Sequence, residues 1–443
     1  MSNENKFTVI VGKNGTGKSR ILKAIVETFV DPESIERRRH SDGIKINPNP
    51  YLELDYEYGP SSVIAISTSP FDRFPLPEPS RIPVDPSSLN DSGYPHYEYL
   101  GLRGLFSRNL SLSFMSRAIT ALIDSVHENR EHAHQICNVL NYLEYDGSIE
   151  ARFQLPFSIG KIREILEQED PVPLLFDYMA QRRDGWRINS LASNVYSNNL
   201  NDLVHALGRF IYALRRPRID VVIDRSGVSS TNNVDLPIGR DFVLLLEFGF
   251  LRLREISLKK INSEKRINLN EASSGEQSVV MGFLGIAAHI RDGSLICIDE
   301  PEICLHPEWQ ERYIQLLIST FRAFKRCHFI VATHSPQIIS RLEEDNCFVL
   351  NIETAEIVDA RSVVKKSSDF QLANTFGAPG YKNEYLSREL ITLLTQFSKS
   401  GRLSDQQVVF SNKLLKLKPV LDEADPVSKL MAMLEAVLLE RSK

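Results

Sequence analysis

The amino-acid sequence predicts an α/β fold in which a largely parallel sheet, covered by helices, is interrupted by a large helical insert. A short strand, a glycine-rich turn and a helix follow one another near the N-terminus, and strands alternate with helices again between residues 275 and 352. This alternation is typical of parallel sheets, because parallel strands need a crossover connection. The residues between these two segments have a different, mainly helical pattern.

The hydrophobic pattern predicts each element of the α/β segments in turn. The first segment has predicted strands at residues 7–11 and 63–67 and a helix at 18–29. The second segment has predicted helices at 275–290 and 308–324, and strands at 295–298, 329–332 and 348–352.

The intervening segment opens with a proline-rich loop, Pro70 to Pro95, which marks a boundary. Apolar residues at helical spacing then predict helices at 115–126, 136–143 and 200–214, and strands are predicted at 219–223 and 242–248 as the chain returns to the sheet. The apolar pattern is not a sustained heptad, so a compact lobe is favoured over a coiled-coil arm. Helices are predicted again from about Glu384, with one apolar face from Leu430 to Leu438 that packs either on the body or on a partner.

Composition excludes several classes of protein. The chain has 443 residues, 42% hydrophobic and 25% charged, with a net charge of −5, so it is neither a peptide hormone nor a fibrous protein and has no bulk positive charge. Five scattered cysteines without a CxxC pair argue against a disulfide framework and a zinc site. No apolar stretch reaches the ~20 residues of a membrane span, and the N-terminus lacks a secretory signal, so we expect a cytoplasmic protein.

The turn after the first strand matches the phosphate-loop pattern G-x-x-x-x-G-K-[ST]. Its candidate nucleotide-binding residues are Gly12, Asn14, Gly15, Thr16, Gly17, Lys18 and Ser19. Glycines let backbone N–H groups surround phosphates, the lysine reaches the β- and γ-phosphates, and the Ser19 hydroxyl coordinates Mg²⁺. The motif predicts that the chain binds the phosphates of a nucleotide together with Mg²⁺.

Two carboxylates, Asp299 and Glu300, end the apolar strand at residues 295–298. Ligands of α/β sheets bind at this edge of the strands. We expect Asp299 to hold Mg²⁺ and Glu300 to orient or deprotonate the attacking water. A solvated turn would be the simpler interpretation if the phosphate loop were absent.

Four motifs follow one another along the chain: the phosphate loop, the segment SSGEQ at residues 273–277, the Asp-Glu strand, and Thr-His-Ser at residues 333–335. In this order they resemble the heads of ABC-type ATPases, in particular the soluble branch that includes SMC, RecF and OLD-type ATPases. The resemblance implies an ATPase head in which Ser274, Gly275 and Gln277 bind ATP held by a second chain, so that two chains sandwich two nucleotides. It also implies that His306 meets the partner and that His334 contacts the γ-phosphate.

One residue of the family pattern is absent. A glutamine normally follows a strand between the phosphate loop and the SSGEQ segment at residues 273–277, which we call the signature. Here the strand at 63–67 is followed by Thr68, Ser69, Pro70, Phe71 and Asp72. Asp72 or Ser69 could take its place.

Three further features resemble the ATPase components of the Septu and retron-associated antiphage systems: STSPFDRFPLP at residues 67–77, the helical insert, and FGAPGYKNEYL at residues 376–386. This resemblance implies an ATP-hydrolysing head that controls a separate HNH nuclease.

The predicted division of the chain into domains is 1–69 and 262–360 for the two parts of the head, 70–261 for the insert and 361–443 for a C-terminal helical region.

Two other functions stay open at this point: a DNA-repair or chromosome-handling ATPase that clamps DNA, and an ATP-latched scaffold with little turnover. Basic clusters at residues 37–39, 182–183, 215–218 and 259–260 could contact DNA phosphates, or could simply be solvated surface. The acids Asp422, Glu423 and Asp425 are scattered on amphipathic helices, so we expect no nuclease site in this chain.

Overall fold

A computed structural model describes residues 4–30, 59–76, 96–101, 103, 110–180, 200–232, 236, 238–263 and 265–441. The chain divides into two compact units. The first unit contains residues 23–297 and 316–327, and the second contains residues 4–22, 298–315 and 328–443.

The described residues form strands and helices along the whole chain. The strands are β1 (Lys6–Val11), β2 (Ser62–Ser67), β3 (His96–Gly101), β4 (Tyr145–Gln154), β5 (Arg218–Asp224), β6 (Gly227–Ser230), β7 (Arg252–Lys260), β8 (Arg266–Asn268), β9 (Leu295–Asp299), β10 (His328–Ala332), β11 (Cys347–Asn351) and β12 (Glu356–Asp359). The helices are α1 (Lys18–Val30), α2 (Leu110–Glu128), α3 (Glu131–Tyr142), α4 (Ile159–Leu166), α5 (Pro171–Ala180), α6 (Leu200–Ala213), α7 (Arg240–Glu247), α8 (Ser274–His289), α9 (Pro307–Thr320), α10 (Pro336–Ser340), α11 (Ser368–Asn374), α12 (Glu384–Ser400), α13 (Asp405–Leu415) and α14 (Pro426–Arg441).

The sheet of the second unit has the strand order β12-β11-β1-β10, with the last two residues of β9 beside β10. Strand β1 pairs in parallel with both β10 and β11, so that Val9 lies opposite Val331 on one side and Val349 on the other. Strands β1 and β10 are largely buried and apolar, as both faces of a parallel sheet require, whereas only Cys347 and Val349 of β11 are buried. Their carboxyl ends therefore share one edge, where the phosphate loop follows β1.

The first unit contains two groups of strands. The opening residues of β9 lie beside β2, which pairs in parallel with β3. A second, antiparallel sheet has the order β6-β5-β4-β7-β8, and helix α3 packs on β4. The strand predicted at 219–223 is confirmed as β5, but β5 lies in this second sheet.

The strand predicted at residues 242–248 is wrong, because Arg240–Glu247 forms helix α7. Its buried residues Phe242, Val243 and Leu245 occupy one side of a short helix. A short apolar run has no periodicity that separates a buried strand from a buried helix. The α/β fold class, the parallel sheet and the other predicted helices and strands of the described residues are confirmed.

The C-terminal apolar face packs on its own chain. Leu434 of α14 is fully buried in a cluster with α12 and α13, and Leu430, Val437 and Leu438 pack against that cluster. Met433 differs, since 58% of it is exposed. The face predicted from Leu430 to Leu438 thus covers the core of the C-terminal helices.

Some of the predicted features lie outside the described residues, namely residues 77–95 of the proline-rich loop and the basic clusters at 37–39 and 182–183. Four of the five cysteines are buried, Cys304 is exposed, and none of the five forms a disulfide. Among the described helices, none combines the length and the apolar character that crossing a membrane requires.

Candidate nucleotide-binding site

The phosphate-loop sequence folds as a turn between β1 and α1, in the second unit. Gly15 has φ of 80° and Gly17 has φ of 105°, a backbone conformation that glycine adopts without steric cost. The backbone N–H of Lys13 donates to Glu353 Oε1 at 2.7 Å, so a residue that follows β11 fixes the start of the loop. The segment therefore has the glycine-dependent turn that the motif predicts, and its contact with phosphate stays a prediction.

Lys18 turns back over this loop and is 4% exposed. Its Nζ donates to the carbonyl oxygens of Gly12 at 2.9 Å and Lys13 at 3.2 Å. Burial lowers the pKa of Lys18, while the nearby carboxylates, Glu300 foremost, act in the opposite direction. The ammonium group thus lies where a polyphosphate in the loop would need its counter-charge.

The two predicted Mg²⁺ ligands lie within hydrogen-bond distance of each other. Ser19 is the second residue of α1, and its Oγ donates to Asp299 Oδ1 at 3.1 Å. Asp299 ends β9 and is 2% exposed. A hydroxyl and a carboxylate are hard oxygen ligands of the kind that Mg²⁺ prefers, so this pair fits the predicted ion.

Glu300 follows Asp299 with a left-handed backbone, φ 50°, which is uncommon for a residue other than glycine. Its N–H donates to the Ala332 carbonyl at 2.9 Å, which ties the end of β9 to the end of β10. Strained backbone of this kind clusters at functional sites, because surrounding structure must hold it. The predicted catalytic carboxylate is thereby fixed at the sheet edge.

His334 lies between Lys18 and Glu300. Its Nδ1 is 3.3 Å from Lys18 Nζ, and its Nε2 is 3.6 Å from Glu300 Oε1. Burial and, secondarily, the Lys18 charge lower the pKa of His334 to about 4. The ring is consequently neutral near pH 7 and can accept a hydrogen bond from the ammonium group.

Sequence reasoning missed Glu302, which supports His334. The His334 backbone N–H donates to Glu302 Oε1 at 2.5 Å, and burial raises the pKa of this carboxyl. Glu302 Oε2 is buried without a hydrogen-bond partner among the described residues. The third acid of the sequence Asp-Glu-Pro-Glu, Glu302, was the available signal, because it lies only two positions after Glu300.

His306 is exposed just before helix α9, and its Nδ1 lies 3.5 Å from the Glu308 backbone nitrogen. The predicted contact of His306 with a second chain stays a prediction.

The signature residues belong to the first unit and form the N-terminus of α8. Ser273 caps the helix by accepting from the Glu276 N–H at 3.2 Å, Ser274 is exposed, and Gly275 is buried. Gln277 Nε2 donates to the Ala272 carbonyl at 2.9 Å. A helix N-terminus with free N–H groups attracts anions, so the predicted phosphate contact is chemically sound.

The two candidates for the missing glutamine are buried in the first unit. Asp72 accepts from Tyr99 Oη at 2.6 Å and from the Phe74 N–H at 3.1 Å, and the Arg103 guanidinium lies 3.6 Å from it. Ser69 Oγ accepts from the Phe71 N–H at 3.2 Å. Asp72 therefore anchors its own loop, and its role as a substitute stays a prediction.

Comparison with known proteins identifies an ATPase domain. The family model described as "AAA domain, putative AbiEii toxin, Type IV TA system" matches residues 179–340, which include the signature, the Asp-Glu strand and His334. The matched residues are similar to an AAA-type ATPase domain, a class of domain that binds nucleotides, which agrees with the ATPase head that the four motifs predicted.

Three curated relatives are similar to the chain. A retron Ec83 probable ATPase from Escherichia coli is 24% identical over 384 residues, which is 79% of this chain and 68% of the relative. A retron Vc95 probable ATPase from Vibrio cholerae serotype O1 biovar El Tor is 24% identical over 23% of this chain and 21% of its own length. The Septu protein PtuA from Bacillus thuringiensis is 27% identical over 31% of this chain and 34% of its own length. The predicted similarity to retron ATPases and to a Septu protein is confirmed.

Proposed function

We propose that this protein is the ATP-hydrolysing head of an antiphage defence complex, and that it controls a separate HNH-type nuclease through ATP-dependent dimerisation. The observation that supports hydrolysis is that five predicted site residues lie together at one sheet edge. His334 contacts both Lys18 and Glu300, and Ser19 contacts Asp299. The likeness to retron and Septu ATPases supports the defence role.

In this proposal Lys18 binds the β- and γ-phosphates, and Ser19 with Asp299 holds Mg²⁺. When bound, the ion neutralises phosphate charge and orients the γ-phosphate. Glu300 accepts the proton of the attacking water, since its carboxylate lies beside the lysine that fixes the phosphates. His334 stays neutral and orients Lys18, and its Nε2 side faces Glu300.

The proposed dimer explains the exposed signature. The N–H groups that open α8 and the exposed Ser274 would complete the ATP site of a second chain. ATP can control assembly only if it binds the paired state more tightly than the separate chains.

The nuclease is proposed to lie on another chain because the C-terminal acids have structural roles. Asp425 is buried and accepts from the Lys382 and Val427 N–H groups, and Asp422 accepts from the Ala424 N–H. Carboxylates engaged in turns and helix starts are poorly placed to share a metal ion.

The test is to incubate the purified chain with ATP, Mg²⁺, plasmid DNA and RNA, alone and with the product of the neighbouring gene. We expect the chain alone to release phosphate without cutting either nucleic acid, and the partner to add cleavage that responds to ATP. Absence of phosphate release in both samples would contradict the ATPase and favour a latched scaffold. If the isolated chain cleaves nucleic acid, and substitution of its own acidic residues abolishes the cleavage, the proposal that the nuclease lies on another chain is wrong.

A further inference from the structure

A second cluster of metal-ligating side chains lies in the first unit, formed by His96, Glu98 and His289. Alternate residues of a strand share one face, so β3 presents His96 and Glu98 together. His289 ends helix α8, which runs close to β3: a Cβ added to Gly285 would lie 2.7 Å from Leu100 Cδ1. One ligand atom of each residue lies within 4.8 Å of the other two.

These three side chains approach one another without hydrogen bonding. His96 Nε2 is 3.9 Å from Glu98 Oε2, and His289 Nε2 is 3.9 Å from Glu98 Oε1. His289 Nε2 is removed from solvent and has no hydrogen-bond partner among the described residues. A buried polar atom of this kind calls for an explanation, because nearly all such atoms are satisfied by protein, water or an ion.

The two imidazoles are in the protonation state that ligation requires. Burial lowers the pKa of His96 and lowers that of His289 to about 4, so both imidazoles are neutral near pH 7 with a lone pair available. Burial raises the pKa of Glu98, and a bound cation would restore its ionised form.

Two arginines lie nearby, and each has another partner. Arg117 Nη2 is 3.7 Å from Glu98 Oε1 but donates to the Tyr99 carbonyl at 2.7 Å. Arg291 Nη2 is 3.9 Å from Glu128 Oε2. A cation held here must therefore bind strongly enough to tolerate two guanidinium groups, which favours a transition metal with nitrogen ligands over Mg²⁺ or Ca²⁺.

We propose that His96, Glu98 and His289 form a zinc site that joins β3 to the C-terminal end of α8. Two imidazoles and one carboxylate are a common zinc ligand set, and water would complete the tetrahedron. Ligand atoms around tetrahedral zinc are about 3.3 Å apart. All three ligand atoms lie within 4.8 Å of one another, so no pair must close by more than about 1.5 Å. The absence of paired cysteines in the sequence does not bear on a site of this composition.

The site would stabilise the helix whose other end carries the signature. Helix α8 has 16 residues and is about 24 Å long, with Ser274 and Gly275 at its first turn and His289 at its last. A metal that fixes the last turn would hold the whole helix against β3.

The experiment is a zinc titration of the full-length protein, purified without a polyhistidine tag and freed of metal by a chelator. We expect one zinc per chain, an affinity at least tenfold lower in Glu98→Gln, and wild-type affinity in His205→Gln, which removes an exposed imidazole of α6. Glu98→Gln keeps the shape of the side chain, and circular dichroism would check its fold. Cobalt absorption bands typical of four-coordination should also appear in the wild type.

Failure of the wild-type protein to bind zinc would overturn the proposal. A water molecule between the three side chains would then be the explanation for the unpartnered His289 Nε2. Equal affinities in wild type and Glu98→Gln would overturn it as well. If Glu98→Gln does not fold, the wild-type protein alone decides: the absence of cobalt absorption bands typical of four-coordination would overturn the proposal.

Discussion

Nδ1 of His334 lies 3.3 Å from Nζ of Lys18, so a residue that follows β10 contacts the residue that opens α1. The other ring nitrogen faces Glu300 at 3.6 Å. The imidazole therefore lies between the lysine of the phosphate loop and the predicted catalytic carboxylate. A neutral ring in this position contacts the predicted phosphate-binding lysine on one side and the predicted water-activating carboxylate on the other. The first three predictions test this arrangement.

Lys18→Ala should weaken ATP binding by about 100-fold, because charge-assisted hydrogen bonds to phosphate contribute about 1.5–3 kcal/mol each. Isothermal titration calorimetry measures the affinity. Lys23→Ala is the matched control, since Lys23 lies on the same helix, is partly exposed and pairs with Glu27 at 3.5 Å. Equal ATP affinity in Lys18→Ala and wild type would reject the phosphate-loop assignment.

Glu300→Gln should bind ATP but hydrolyse it about 10² to 10⁴ times more slowly, the usual contribution of a general base. The variant should also accumulate the ATP-bound dimer, which light scattering detects. Glu308→Gln, an exposed change in the first turn of α9, should turn over at the wild-type rate. If Glu300→Gln turned over as fast as Glu308→Gln, another residue would be the base.

Glu302 is expected to act as a positioning residue through the backbone of His334. Glu302→Ala removes the acceptor of the His334 N–H and should lower kcat about tenfold, since an unsatisfied buried donor costs about 1–3 kcal/mol. Glu302→Gln keeps an acceptor oxygen and should retain kcat within about threefold on the same reasoning. Steady-state kinetics would separate these outcomes, and equal losses in both variants would show that the charge, not the acceptor, matters.

The sequence predicted the parts of this site that depend on local pattern. The phosphate loop has its fixed spacing, and Asp299, Glu300 and His334 could be placed together because parallel strands end at one edge. Glu302 and Glu353 were missed as supports because their partners, His334 and Lys13, lie 32 and 340 positions away in sequence. The helix at Arg240–Glu247 was missed for a different reason, since its eight residues are too few to reveal a helical period.

His328 should make the protein less stable as the pH falls. Its ring bonds to Thr8 Oγ1 at 2.9 Å, and burial, aided by Lys6, lowers its pKa to about 4. The unfolded chain titrates near 6.5, so between about pH 6.5 and pH 4 it takes up a proton that the folded chain does not. The free energy of unfolding should therefore decrease over this range, by about 1–3 kcal/mol from this residue.

Urea unfolding of His328→Gln at pH 6.5, 5.5 and 4.5 checks this pH dependence, because the variant should lose part of the slope that wild type has. His205→Gln removes an exposed histidine and should keep the wild-type slope. Identical slopes in all three proteins would contradict the assigned pKa.

The last prediction concerns sites shared between two chains. Ser274 is exposed at the start of α8, and Lys18 belongs to the phosphate loop of the other compact unit. If each ATP lies between the loop of one chain and the signature of another, Lys18→Ala and Ser274→Arg should both be inactive alone. A mixed dimer, however, contains one site with an intact loop and an intact signature, so mixing should restore part of the ATPase activity. With random exchange half of the dimers are mixed and each carries one intact site of two, so recovery should approach about a quarter of wild type where sites act independently. Phosphate release measures the recovery, and fluorescence transfer between labelled chains confirms exchange. Proven exchange with no recovery would mean that the signature of one chain does not complete the nucleotide site of another.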